Sequence, residues 1–220
     1  LLRSLKLKIG QEKLYVVRDI RKLLYHKENN QELSFGKSFT YCPTRHEFRG
    51  RDLELINLLQ EIYETDNLVT SFIPGRANTG IFQDAKAYLT DSAVKRFLKI
   101  YKDSPFNAVI LGNKIESVMI KEEDIPVNFL LSNDGKDLVL SIDFEGSLLP
   151  LTEDGEYFYS GNSIYHITKQ QSEYLKPFYM AMLYQKGRKL RFIEQDKQRF
   201  VSEILPFAEK AGRLVISEQV

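Results

Sequence analysis

Residues 127–144, VNFLLSNDGKDLVLSIDF, decide the fold class. Two runs alternate apolar and polar residues on either side of Asn133-Asp134-Gly135, and Asn and Gly tolerate the positive φ of a tight turn. The stretch therefore predicts an antiparallel hairpin with one buried face. The same signal lies in LKLKIGQEKLYVV, residues 5–17, around Gly10-Gln11-Glu12, and in YFYSGNSIYHI, residues 157–167, around Ser160-Gly161-Asn162. No helical periodicity is evident from Ala108 to Ile167, so this part reads as an antiparallel meander.

Helices are expected before and after the meander. Five stretches place an aromatic-ended strand, a short polar link and an amphipathic helix in succession: YVVRDIRKLL from Tyr15, FRGRDLELINLL from Phe48, YLTDSAVKRFL from Tyr88, YHITKQQSEYL from Tyr165 and FIEQDKQRFVSEIL from Phe192. Thr90 and Thr168 stand where a helix N-cap is wanted. The stretches are either repeats of one strand-helix unit or separate strand-to-helix junctions; their uneven spacing argues against a solenoid. The class expected is α+β, with hairpins, a meander and strand-helix units. Residues 1–220 read as one region, with two subdomains, 1–103 and 104–220, if the chain divides near Asp103-Ser104-Pro105.

FIPGRANTGIFQ, residues 72–83, spaces Gly75 and Gly80 as in a phosphate-binding loop. Such a loop needs a Lys and then Ser or Thr after its last glycine, at the start of a helix, and Ile81 and Phe82 stand there instead. A helix over Leu55–Glu64 ending at Asp66-Asn67, with strand only at Leu68-Val69-Thr70, would also deprive the loop of its usual upstream strand. Asp143 and Glu145 alternate at a strand end as in some metal-dependent nucleases, but no further ligands can be placed, and the solvent face of an alternating strand is the simpler account of them. His26, His46 and His166 lack the spacing that puts two metal ligands on one helical face. Cys42, the only cysteine, excludes an internal disulfide and has His46 as its nearest histidine in sequence. No Gly-x-Ser-x-Gly elbow is present.

No apolar run approaches the roughly 20 residues of a membrane helix, and no signal-peptide core is present, so a cytoplasmic protein without membrane contact is expected. The chain opens on Leu1, which suggests a piece of a longer protein. Its net charge of +1 hides an asymmetry: residues 1–51 carry 12 basic and 5 acidic side chains, whereas residues 103–157 carry 3 and 12. Basic ends around an acidic middle suit either a nucleic-acid face or internal packing of opposite charges. The candidate phosphate-backbone contacts are Lys186, Arg188, Lys189 and Arg191 in QKGRKLRF, with Lys6, Lys8, Lys13 and Arg18 of the first hairpin.

Leu14-Tyr15-Val16-Val17 with Asp19-Ile20, then Phe35-Gly36-Lys37 with Phe39, Pro43, His46 and Phe48, resemble the helicase-associated region of bacterial Swi/Snf-type proteins. NSIYHITKQQ and RFVSEILPFAEKAGRLVI are compatible with the same region. The resemblance implies a place between a SWIM-type zinc finger and a two-lobed, ATP-dependent motor acting on duplex DNA. This chain carries neither the zinc-finger residues nor a motor motif, so no catalytic residue and no cofactor is expected on it. Its expected partners are the motor domain of the same polypeptide and duplex DNA, with the oligomeric state left open. The expected role is a non-catalytic accessory module that positions the motor on DNA or contacts its lobes. The alternative is a protein-interaction module whose acidic segment docks on a basic surface without touching DNA. A hydrolase centred on Asp143 and Glu145 is a third reading.

Overall fold

The computed structural model describes residues 4–72, 80–110, 112–143, 148–184 and 189–217, with 182–184 described by their backbone alone. The chain forms two compact units, residues 1–101 and 102–220, each α+β.

The first unit runs β1 (Ser4–Leu5), β2 (Lys8–Ile9), β3 (Tyr15–Val16), α1 (Ile20–Glu28), β4 (Leu33–Phe35), β5 (Phe39–Tyr41), α2 (Gly50–Ser71), β6 (Phe82–Gln83), β7 (Lys86–Tyr88) and α3 (Asp91–Ile100). Its strands form small antiparallel sheets, β1-β7-β6, β2-β3 and β4-β5. Two of its helices begin at side-chain caps. Asp19 accepts from the Lys22 amide at 2.8 Å and Thr90 from the Ala93 amide at 3.3 Å, each satisfying an amide that the first turn leaves unpaired. Ile20, Leu23 and Leu24 of α1, Leu58 and Leu59 of α2, and Val94 and Leu98 of α3 are buried.

The second unit runs β8 (Phe106–Ile110), β9 (Asn113–Lys121), β10 (Asn128–Asp134), β11 (Asp137–Asp143), β12 (Leu149–Pro150), β13 (Tyr157–Ser160), β14 (Ser163–His166), α4 (Lys169–Tyr184) and β15 (Lys189–Phe192). A 3-10 turn (Glu194–Asp196), a short α5 (Lys197–Arg199), a π segment (Phe200–Ile204), α6 (Leu205–Ala211) and β16 (Arg213–Ile216) follow. The hairpin over residues 127–144 is β10-β11, with Asp134 opposite Asp137 and Gly135 at φ +64°. Phe129 and Leu131 of β10 and Leu138, Leu140 and Ile142 of β11 form its buried face. Leu175 and Phe178 of α4 and Ala208 and Ala211 of α6 complete that core, with Phe129 and Phe178 rings 4.7 Å apart.

Three local expectations need correction. The second helix is longer than Leu55–Glu64, running unbroken from Gly50 to Ser71, because no glycine or proline interrupts those residues and Leu68-Val69-Thr70 continue it. Residues 108–167 do not form one meander but are shared between the sheets β15-β11-β10-β16 and β12-β13-β14-β9-β8, with parallel pairings β10-β16 and β14-β9. The helix expected after Phe192 is broken into 3-10, α and π turns. Pro206 has no amide proton for the Ser202 carbonyl, and the preceding turns tighten or widen around fully buried Phe200.

Gly212 makes the parallel pairing possible. A β-carbon there would collide with the Val127 carbonyl oxygen and stand 3.1 Å from the Phe129 ring, where the Arg213 amide donates to that same carbonyl at 2.9 Å.

On the other sheet His166 stacks on Tyr157, ring centroids 4.4 Å apart, with its Nδ1 2.9 Å from Glu122 and Lys102 3.8 Å beyond. Burial, then the negative charges of Glu122 and Glu156, push the Tyr157 hydroxyl from 10.0 up to about 12. The unfolded chain releases that proton first, so the contribution of Tyr157 to stability is full below about pH 10 and is lost as pH rises through about 12. Denaturation followed by circular dichroism should register this alkaline loss, and Tyr157→Phe should make it shallower, the remainder coming from Tyr41, Tyr101 and Tyr179, which burial also raises; an unchanged slope would refute the assignment.

Candidate nucleic-acid interface

The first hairpin owes its shape to Gly10, whose φ of +152° is a backbone state that L residues rarely adopt and where a β-carbon would strike the Lys13 carbonyl. Lys8 pairs with Val16 and Ile9 with Tyr15, and the Val17 amide donates to the Leu7 carbonyl at 2.9 Å. Strand alternation then sorts the side chains. Ile9 and Val17 are buried and Tyr15 half-buried, whereas Lys6, Lys8, Leu14, Val16 and Arg18 are exposed.

The candidate cations of this hairpin are therefore all at the surface. Among the described residues none of Lys6, Lys8, Lys13 and Arg18 has a carboxylate within ion-pair distance. The Lys13 ammonium lies 5.7 Å from the centre of the Tyr15 ring, which stacks on Phe39 at 5.8 Å. The sequence marked the cations; alternation on the folded hairpin adds Leu14 and Val16, 60% and 52% exposed, to their company.

The second cationic group has a different setting. Lys186 and Arg188 lie outside the described residues, and Lys189 is exposed on β15 opposite Ser141. Arg191 donates through Nε to Asp137 at 2.8 Å and sits 3.2 Å from Asp134, and the Asp137 hydrogen bond is the main reason its pKa is raised. Part of the sequence's charge asymmetry is thus resolved inside one sheet, basic β15 against the β10-β11 turn. The units differ accordingly: residues 1–101 hold 17 basic and 12 acidic side chains, a net +5, and residues 102–220 hold 14 and 18, a net −4.

Other candidates acquire settings of their own. Gly80, at φ +87°, leads into the short strand β6 and not into a helix, while residues 73–79, Gly75 among them, lie outside the described residues. Asp143 ends β11, Glu145 lies outside the described residues, and no group of three metal-binding side chains occurs among those described. His46 accepts the Cys42 backbone amide on Nδ1 at 2.9 Å, so it caps the chain there; the thiol's neighbour is the Thr44 hydroxyl at 3.2 Å. Hydrogen bonds from Thr44 and then Arg45 hold the Cys42 thiol below its usual value. Around this turn Phe35, Phe39, Tyr41, His46 and Phe48 pack ring to ring, with neighbouring centroids 5.5–6.2 Å apart. The cluster opens on a cavity of about 410 Å³ that sequence order conceals, because α1, the turn after β5 and the start of α2 all line it.

Residues 86–220 match the family described as bacterial SNF2 helicase associated. The chain belongs to that family. The match covers well over half of the chain, including all of the second unit, α3 and β7. The residues from Leu14 to Phe48 that carry the resemblance in sequence lie ahead of it. No curated protein and no solved structure matches this SNF2-associated chain. No helix among the described residues is long and apolar enough to cross a membrane.

Proposed function

We propose that this SNF2-associated chain is a non-catalytic accessory module that holds an ATP-dependent motor of the same polypeptide on duplex DNA, with the β2-β3 hairpin as its contact to the phosphate backbone. The observation that carries the reading is the hairpin itself: four exposed cations without carboxylate partners among the described residues, on the unit with net charge +5. Backbone contact needs cations on one rim and no base-reading side chains, so it is independent of DNA sequence. Lys189 joins Lys186 and Arg188 as a secondary contact, whereas Arg191 is already shared between Asp134 and Asp137.

Fluorescence anisotropy of a labelled duplex tests this. Counterion release gives a slope of log affinity against log salt of roughly −0.9 per phosphate contact, about −3.6 for four. Replacing Lys6, Lys8, Lys13 and Arg18 together with Gln should flatten that slope and abolish binding at moderate salt. A variant that binds like the wild type would sink the hairpin assignment. The net −4 of residues 102–220 favours a second reading, in which that unit docks on a basic protein surface. Absence of duplex binding even at low salt would select it.

A further inference from the structure

The cavity beside the aromatic turn is open to solvent and lined by aromatic and polar side chains together. Its volume of about 410 Å³ falls in the range of roughly 300–1,000 Å³ typical of small-molecule pockets. Tyr41 backs it, Phe48 and His46 form walls with rings 5.6 and 6.2 Å from that of Tyr41, and the 41% exposed Leu53 borders it. These surfaces accept a flat, apolar body.

The polar groups are mostly donors. Because Nδ1 of His46 accepts the Cys42 amide, a neutral His46 keeps its proton on Nε2. Lys27, in the last turn of α1, lines the cavity and pairs with no carboxylate among the described residues; Asn30 lines it too, its backbone at φ 53°. The carboxylate present, Glu47, lies 3.6 Å from Arg49. An aromatic wall, a cation and an amide together suit a planar base joined to a phosphate, since bases stack on aromatic side chains whatever their sequence.

We infer that this cavity receives one unpaired nucleotide of a DNA strand, the base against Phe48 and His46 and the phosphate at Lys27. The inference rests on the proposed DNA contact of the same unit and adds the form of DNA preferred, a duplex with an unpaired end over a blunt one.

Anisotropy with two labelled probes separates the ideas: a blunt duplex, and the same duplex bearing a short 3′ thymidine overhang. One stacked base corresponds to roughly 5- to 150-fold in affinity, so the full chain should bind the overhang at least about fivefold more tightly. Phe48→Ala and, independently, the surface change Lys27→Gln should reduce that preference while blunt-duplex affinity changes little. Equal affinity for both probes overturns the inference and leaves the duplex contact standing; failure to bind either overturns both. A preference that survives both substitutions also overturns it. So does binding of an acidic, Phe-containing peptide that depends on Lys27 and Phe48 without any overhang preference, which would give the cavity to a protein.

Discussion

Gln171→Leu is expected to cost the second unit about 2–6 kcal/mol, because two buried backbone groups lose a partner worth about 1–3 kcal/mol each. Gln171 is 4% exposed on the first turn of α4. Its Oε1 accepts the Ile125 amide at 2.8 Å, and its Nε2 donates to the carbonyls of Ile125 and Ala211, both at 2.9 Å. One side chain thereby ties three pieces together: the approach to β10, the start of α4 and the end of α6. The Ile125 carbonyl would keep the Val127 amide, so the losses fall on the Ile125 amide and the Ala211 carbonyl. Leucine roughly matches the volume, which separates lost polar pairing from a packing defect. The chain has no tryptophan, so hydrogen exchange is the suitable measurement. Faster exchange at Ile125 and along β16 is expected, and unchanged protection there would show that Gln171 bears no such load.

In the first unit the counterpart is Arg21→Met, expected to cost about 2–4 kcal/mol. Asp66 on α2 is fully buried, and the Arg21 guanidinium of α1 donates to it at 2.8 Å and to Asn67 at 2.6 Å. Removing the cation takes the Arg21 guanidinium away from a buried carboxylate, the costly half of breaking such a pair. The estimate is held down because the Arg21 side chain is 29% exposed and Asp66 has a further interaction. Asp66→Asn should be milder, since Arg21 can still reach water. The double variant Arg21→Met/Asp66→Leu should recover much of the loss, as removal of both charges takes away the desolvation penalty along with the attraction. Thermal melts by circular dichroism measure all three; a double variant no better than Arg21→Met would refute the buried-charge account.

Local chemistry was legible in advance and long-range pairing was not. The turns at Gly10, Gly135 and Gly161 and the caps at Thr90 and Thr168 each depend on a few adjacent residues, and all form as their sequences indicate. The pairing of β10 with β16 and of β9 with β14 joins strands separated by at least four intervening elements, so no short window of sequence contains both partners. The same division runs through the candidate interface. Alternation in residues 5–17 suffices to put Lys6 and Lys8 at the surface. The carboxylates that engage Arg191 depend on the register of β15 against β11, and the cavity on bringing Lys27 beside Phe48.

The parallel seat of β16 beside β10 has a consequence for biogenesis. Strand β10 meets β11 within a few residues of leaving the ribosome, yet its other edge waits until residue 216 has been made. Through that interval the nascent chain carries an open, apolar-flanked strand edge, the kind of template on which other chains add and aggregate. Gly212, by admitting β16 against Val127, covers that edge of β10 and moves the sheet's edge to the shorter β16, so the pairing of β10 is completed late in the synthesis of the second unit.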